Sequence, residues 1–389
     1  MLHVLYLVHD VSDPAVRRRI IMLKAGGARV TLAGFRRTTN AVPDVEGLQP
    51  VDLGATRDGR FGQRLAAVAK AALSIGSKLA AMPKPDLIIA RNLEMLALAR
   101  RAKAAFRGAP IVYECLDIHR LVLRNDMLGK ALRTAERYLA RDVKLLVTSS
   151  PAFIANYFKP FGQVAAPVEL VENKYFETAP IVLDHRSKAE NPAAPPWRIG
   201  WFGALRCRRS LELLADFTRR QGGRFEVVLR GRPALSEFPD FHAFVEAEPY
   251  LSFRGPYRNP EDMAAIYGEV HFSWAIDFFE EGQNSEWLLP NRLYEGCRFG
   301  AVPISMGNTE TGRFLNQQDI GILLSDATPE ILETALGRMD QEHFGKAKAR
   351  VLARNPRTWS YDGSDCRAFV DRLRGLAAVP GPFVTEALA

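Results

Sequence analysis

The sequence predicts an α/β chain of two doubly wound parallel-sheet domains, and three observations carry that expectation. Residues 2–148 alternate short apolar runs with amphipathic helical stretches, a proline-rich break follows, and the same alternation then starts again. At 389 residues and 47% hydrophobic content, the chain also exceeds what one core usually serves.

The first strand is Leu2–Val8, an apolar stretch without a basic flank or a small-residue cleavage site, so it reads as sheet rather than as a leader. A helix over Pro14–Ala25 is closed by Gly26-Gly27 and feeds a strand at Arg29–Phe35, a short link typical of right-handed crossovers. Helices over Phe61–Ala81, Leu93–Phe106 and Met127–Arg141 then alternate with strands at Asp86–Ala90, Ile111–Cys115, Lys144–Thr148 and Val168–Val171. Together these form an N-terminal domain, residues 1–178.

Charged Asp184–Glu190 and the run Asn191-Pro192-Ala193-Ala194-Pro195-Pro196 mark a linker, residues 179–197. The restarted pattern gives strands at Trp197–Phe202, Arg224–Arg230, Leu251–Arg254 and Val270–Ala275, with helices over Ser210–Gln221 and Pro260–Tyr267. It defines a C-terminal domain, residues 198–357. In residues 358–389, an amphipathic helix over 359–378 is expected to return to the first domain.

The most informative stretch runs from Leu289 to Ser305. Pro290 stands where a missing N–H costs nothing, Leu293, Cys297 and Phe299 keep a helical spacing, and Gly300 ends the helix before a strand at Val302–Ser305. Asn291 and Arg292 would then lie at a helix N-terminus, whose free N–H groups favour phosphate, and Glu295 one turn along suits sugar hydroxyls. An ordinary capped helix with an exposed carboxylate would read the same.

Composition narrows the partners. Cysteines at 115, 207, 297 and 366 are too far apart for a zinc knuckle or a Cys-x-x-Cys pair, which fits a reducing cytoplasm. No apolar run approaches the roughly eighteen residues of a membrane span, so the chain is expected to be soluble or to rest on a membrane. Residues 1–178 hold 27 Lys/Arg against 16 Asp/Glu, while the remainder holds 25 against 28. The basic half, rich in Arg17-Arg18-Arg19 and Arg100-Arg101-Lys103-Arg107, calls for an anionic partner. The set Arg120, Arg124, Lys130, Arg133, Arg137, Arg141 and Lys144, interleaved with Leu121, Leu123, Leu128, Leu132 and Leu139, reads either as a face on anionic lipid or as a solvated helix surface. No recognition-helix, finger or RNP pattern points to nucleic acid.

Two further segments carry chemistry. Gly200–Ser210 joins strand to helix through Gly203 and Arg206, Arg208 and Arg209, whose planar forks suit phosphate oxygens at a strand-end crevice. Asp117 and His119 follow the strand Ile111–Cys115, placed to hold or deprotonate a hydroxyl. Between the arginines and the Asn291 helix lies the acid-dense loop Asp277–Glu286.

Asn291-Arg292-Leu293-Tyr294-Glu295 through Gly300-Ala301-Val302-Pro303 resembles the nucleotide-binding helix of retaining GT-B glycosyltransferases of family 4. Gly203–Ser210 is similar to that family's Gly-Arg-Leu-x-x-x-Lys-Gly loop, and Leu5–Arg37, with His9-Asp10 and Gly26-Gly27, resembles its N-terminal opening, particularly in succinoglycan-type exopolysaccharide glucosyltransferases. The resemblance implies two Rossmann-like domains facing a central cleft. It implies that Glu295 binds the donor ribose and that Arg209 and Arg292 meet the diphosphate. Arg206 would substitute for the family's loop arginine, which is Ala204 here. The family's first acid falls on Leu288, and Glu281-Gly282 matches an acidic-Gly element across an insertion, which would bring Glu281 to the donor sugar.

The implied reaction moves a hexose, glucose foremost, from a UDP-sugar to a lipid-linked saccharide at the inner membrane leaflet, with retention and without metal or other cofactor. The leaving diphosphate would take the acceptor proton, with Asp117, His119 and Glu281 nearest the chemistry. Two rivals remain: a UDP-sugar epimerase or hydrolase of the same fold, and a sugar-nucleotide-binding subunit without turnover. A dinucleotide-dependent dehydrogenase is disfavoured, because no Gly-x-Gly-x-x-Gly follows the first strand.

Overall fold

The computed structural model describes residues 1–37, 44–56, 61–106, 108–178 and 193–378. The expected linker over 179–192, the end of the chain over 379–389 and Arg107 of the second basic cluster lie outside them. The chain divides into two units. One runs over Met1–Val171 and takes in the helix Gly363–Ala378; the other takes in Glu172–Glu177 and the chain up to Tyr361.

In the first unit the strands are β1 (His3–Val8), β2 (Arg29–Arg36), β3 (Val51–Ala55), β4 (Leu87–Arg91), β5 (Ile111–Cys115), β6 (Val143–Thr148) and β7 (Val168–Leu170). They form one sheet in the order β3-β2-β1-β4-β5-β6-β7, parallel throughout. Every residue of β1, β4 and β5 is buried, as expected where helices cover both faces of a parallel sheet. The helices are α1 (Pro14–Ala25), α2 (Phe61–Leu79), α3 (Leu93–Ala105) and α4 (Met127–Ala140). Asp13 starts α1 by accepting from the Ala15 N–H at 2.8 Å, and Asp126 starts α4 by accepting from Gly129 at 3.0 Å. The helix Gly363–Ala378 buries Cys366, Phe369, Val370 and Leu373, and the Arg19 guanidinium of α1 lies 5.2 Å from the Phe369 ring centroid.

After a two-residue strand, β8 (Tyr175–Phe176), the second unit is built on β9 (Trp197–Leu205), β10 (Phe225–Pro233), β11 (Leu251–Phe253), β12 (Phe272–Trp274), β13 (Val302–Met306) and β14 (Ile322–Leu324). The order is β11-β10-β9-β12-β13-β14, again all parallel. Alternation along β9 sends Trp197, Ile199 and Trp201 into one core with Phe217, Phe225 and Trp274, while Phe202 joins Met263, Ile266 and Tyr267 on the other face. The strand β8 pairs with β15 (Ser360–Tyr361), so the terminal helix starts at Gly363 rather than at 359.

Other boundaries also differ from expectation. The helix expected from Pro260 begins at Met263, after a turn in which Asp262 accepts from the Arg258 N–H at 2.8 Å. The helix expected from Ser210 begins at Arg208, because the Cys207 sulfur acts as its cap, accepting from the Ser210 N–H at 3.4 Å.

Candidate functional site

Each sheet reverses its winding once, between β1 and β4 in the first unit and between β9 and β12 in the second. Crevices beyond the carboxyl ends of strands at such reversals are where doubly wound sheets bind ligands. In the second unit that position is occupied by Gly203, Arg206 and Asp277. Gly203 and its β10 register partner Gly231 both have positive φ, +113° and +127°. A Cβ on Gly231 would collide with the Gly203 carbonyl, so the two backbones meet with no side chain between them and leave the strand ends open.

The arginines are held by acids and rings. Arg206 donates to Asp277 at 3.1 Å and lies 4.6 Å from the Phe279 ring centroid. Arg209 donates to both carboxylate oxygens of Glu281 at 2.6 Å, 4.4 Å from the Phe278 ring centroid. Glu281 and Arg209 are both exposed. Arg208 turns instead to Glu212 on its own helix, 2.6 Å away, and does not join the crevice group.

Arg292 opens the helix Asn291–Arg298, whose start no side chain caps. Its guanidinium is buried and donates to the Ile276 carbonyl at 2.9 Å, with Nε left unpartnered. Burial draws this guanidinium below its ordinary pKa, while Asp277 pulls the other way and favours the charge. Burial would likewise raise the Asp277 carboxyl, but Arg292 and Arg206 outweigh it and hold Asp277 below the usual carboxylate value. Three charged groups thus meet at the end of β12, with Arg292 and Arg206 around one carboxylate.

Glu295, one turn into that helix, is 3% exposed, which removes the ordinary surface carboxylate as a reading. It accepts from Asn259 Nδ2 at 2.7 Å and from the Tyr267 hydroxyl at 3.3 Å. The helix is fixed by its apolar face: Leu293, Tyr294 and Cys297 bury against Leu289, Leu315, Ile320, Val351 and Trp359. Each large side chain so buried contributes roughly 1.5–3 kcal/mol. Gly296 packs against Ser273 of β12, where a Cβ would stand 2.7 Å from the Ser273 Cβ, and Gly300 ends the helix with φ +79°. A cavity of about 40 Å³ lies beside these groups, lined by Asp277, Glu281 and Ser285 from the acidic loop and by Ser305 and Thr309 beyond β13.

In the first unit, Asp117 and His119 are exposed on the loop after β5. The His119 imidazole accepts from the Leu121 N–H at 3.3 Å. Partial desolvation of the ring and then Arg64 draw it below the ordinary histidine pKa, which favours the neutral form at pH 7. His9, at the end of β1, lies 3.3 Å from the Asn92 amide. Asn92 carries φ +69° and ψ 168°, a conformation nearly restricted to glycine and of the kind found at functional sites.

Sequence reasoning missed the buried network beneath. The Glu114 carboxylate accepts from Tyr6 and Arg19 at 2.5 Å and from Arg91 at 3.2 Å, and Arg91 also reaches Asp13 at 3.2 Å. Its one signal is a charged residue closing each of two apolar runs, at Arg91 and Glu114, which are register partners on β4 and β5. The same packing corrects the basic surface. Arg19 and Arg133 are buried, Arg133 donating to the carbonyls of Val122 and Arg124, so Arg133 drops out of the set read as a lipid-facing or solvated surface and Arg19 out of the N-terminal basic cluster offered to an anionic partner. Arg120, Arg124, Lys130, Arg137, Arg141 and Lys144 remain exposed. Among the described residues no helix is long and apolar enough to cross a membrane, and no three His, Cys, Asp or Glu side chains cluster as metal ligands.

With this geometry in place, comparison with known proteins is informative. A family model described as "glycosyl transferase 4-like domain" matches residues 14–174. The succinoglycan biosynthesis protein ExoL of Rhizobium meliloti (strain 1021) is 58% identical over 379 residues, covering 97% of this chain and 94% of that protein. Among solved structures, sucrose-phosphate synthase from Thermosynechococcus elongatus gives a TM-score of 0.69 at 13% identity, over 96% of this chain and 98% of that one. Anabaena HepE in complex with UDP-glucose gives 0.64 at 13% identity, over 96% and 100% of the two chains. At such identities the structural neighbours speak for the GT-B fold alone.

Proposed function

Because this chain belongs to the family-4 glycosyltransferases of GT-B fold, we propose that it moves glucose from UDP-glucose to a lipid-linked saccharide in exopolysaccharide synthesis, with retention. The observation that carries this reading is the grouping of Arg206, Arg209 and Arg292 at the sheet reversal of the second unit, with Glu295 on the helix that Arg292 opens. A nucleoside diphosphate matches that group: two phosphates for the guanidinium forks, and ribose hydroxyls for a carboxylate.

In this reading Gly203 lets the β9 backbone approach the diphosphate, and Asn291 presents the uncapped helix start. Arg206, Arg209 and Arg292 stabilise the charge that builds on the leaving diphosphate, a preorganised effect typically of a few kcal/mol per donor. The reading assigns that role to arginines and calls for no metal or cofactor. Glu281, released from Arg209 when the diphosphate arrives, is free to accept from a hydroxyl of the donor sugar. Asp117 and neutral His119 hold the acceptor hydroxyl, whose proton passes to the departing diphosphate as the new glycosidic bond forms.

ExoL is by its name a succinoglycan biosynthesis protein, which supports an exopolysaccharide product, and the exposed basic residues of α4 support work at the cytoplasmic face of the inner membrane. The test is incubation of the purified protein with UDP-[14C]glucose and a lipid extract from an exopolysaccharide-producing strain. Label in the organic phase supports the proposal. Free glucose or an epimer would replace it with a hydrolase or epimerase, and binding without turnover would leave a sugar-nucleotide-binding subunit.

A further inference from the structure

A groove of about 310 Å³ opens in the first unit and is formed by α2, α3, α4 and the loop after β5. Its size is at the lower end of small-molecule pockets. Along α4, Leu132, Ala135 and Leu139 line it at helical spacing, and Leu128, one turn earlier on the same stripe, is 44% exposed. The opposite wall is Leu65 and Val68 of α2, with Leu93 and Ala97 of α3 at the base. Leu121 and Val122 close it from the loop, which Arg133 fastens by donating to the Val122 and Arg124 carbonyls.

The polar groups at the inner end are used up among themselves. Tyr113 donates to Glu136 at 2.8 Å, Tyr157 at 2.5 Å and the Gln163 amide at 3.1 Å. Burial raises the Glu136 carboxyl, against the pull of those three hydrogen bonds. An occupant therefore meets an apolar trough. At the other end the lining turns polar and charged: Arg64 donates to Glu94, Arg37 lies 3.5 Å from Asp10, and beside them stand His119 and Asp117, the residues assigned above to the acceptor hydroxyl.

We propose that this groove binds the hydrocarbon chain of the acceptor's lipid carrier, with the carrier's phosphate at Arg37 and Arg64. A linear chain ending in an anion fits a trough that is apolar along its length and carries two guanidinium groups at one end, where a phosphate takes the place of Glu94 on Arg64 and of Asp10 on Arg37. The trough is also continuous with the acceptor residues, and its apolar stripe reaches the surface at Leu65 and Leu128, 47% and 44% exposed. The inference rests on the lipid-linked acceptor of the proposed function and names the part of the protein that recognises it.

The experiment is calorimetric titration of the full chain with farnesyl phosphate below its micellar concentration, with inorganic phosphate and UDP titrated in parallel. Wild type should bind farnesyl phosphate at least tenfold more tightly than inorganic phosphate. Leu132→Glu, which puts a charge in the trough, and Ala97→Phe, which fills it, should each weaken farnesyl phosphate at least tenfold and leave UDP affinity unchanged, with wild-type circular dichroism and unfolding midpoints showing that the first unit of each variant folds. Equal affinity for the two phosphates, or variants that bind farnesyl phosphate like wild type, overturns the proposal. Binding of phosphatidylglycerol vesicles that Leu132→Glu abolishes, without any binding of farnesyl phosphate, overturns it in favour of a membrane-docking groove. Farnesyl phosphate binding that behaves as expected in a protein unable to transfer glucose supports the groove while removing the proposed reaction.

Discussion

Glu281 places both carboxylate oxygens 2.6 Å from the same Arg209 nitrogen, so the guanidinium assigned to the diphosphate already carries an anion. The pair is exposed, and such pairs are worth about 0.2–1 kcal/mol. A diphosphate must displace Glu281, and removing its charge removes that competition. Glu281→Gln should therefore tighten UDP binding by roughly 1.4- to 5-fold at low salt, while slowing glucose transfer because the donor-sugar contact is weakened. Calorimetry with UDP and initial transfer rates check both halves; weaker UDP binding would show Glu281 to be a direct ligand of the nucleotide.

Glu295 is the sharper test of the nucleotide helix. A hydrogen bond to a charged group is worth roughly 1.5–3 kcal/mol, so Glu295→Ala should weaken UDP by about ten- to a hundredfold. Glu295→Gln keeps an acceptor for Asn259 and should lose less. Because Glu295 also holds Asn259 and Tyr267, circular dichroism and the unfolding midpoint belong beside the affinities. Loss of stability with unchanged UDP affinity would make Glu295 a packing residue.

His119 predicts a pH profile. Its folded pKa lies below the ordinary value of about 6.5, so the neutral imidazole, oriented by the Leu121 N–H at Nδ1 and donating from Nε2 to the acceptor oxygen, persists to lower pH than a free histidine allows. The acceptor kcat/KM should hold level down to about pH 6.5 and fall only below it. His119→Asn should lower the plateau and remove that limb. A limb at or above 6.5 in wild type, or one that survives in the variant, would contradict the role.

Two other histidines govern stability. His3 and His9 both have lowered folded values, burial being the main cause in each. Burial favours the neutral His3 ring against the pull of the Lys84 carbonyl, 3.2 Å from Nδ1, while Nε2 lies 2.9 Å from the Thr31 hydroxyl. As pH falls below about 6.5 the unfolded chain takes up protons that the folded chain refuses, so stability is full above that value and declines toward the folded pKa values. Asp13 and Glu114 are shifted the other way for carboxylates, below their ordinary values, and stay charged throughout this range. The unfolding midpoint should therefore drop between about pH 7.5 and 5.5, and drop less in His9→Asn. An equal drop in that variant would place the titrating group elsewhere.

Much of the architecture was legible where local signals and tertiary packing agree. Pro290, Leu293 and Gly300 announce the helix Asn291–Arg298, and full burial of β1, β4 and β5 follows from their unbroken apolar runs. Strands of two residues, such as Tyr175–Phe176 and Ser360–Tyr361, carry no period to read and exist only because they pair across a long stretch of chain. The strand β14 and the helices Pro329–Leu336 and Gln341–Leu352 passed unread as well, although Thr328 and Asp340 cap them. Charge spacing could not tell which arginines turn inward: Arg133 shares helical spacing with exposed Lys130 and Arg137, yet serves the backbone of the loop above α4. The candidate site residues could be proposed from sequence, but the counter-charges of the arginines, Asp277 for Arg206 and Glu281 for Arg209, depend on a loop whose path only the folded chain shows.

The most direct test is a crystal structure of the protein soaked with UDP-glucose. The account predicts the diphosphate among Arg206, Arg209 and the start of the Asn291 helix, Glu281 turned away from Arg209, and the ribose hydroxyls on Glu295. A nucleotide bound elsewhere, with the Arg209–Glu281 pair intact, would contradict it.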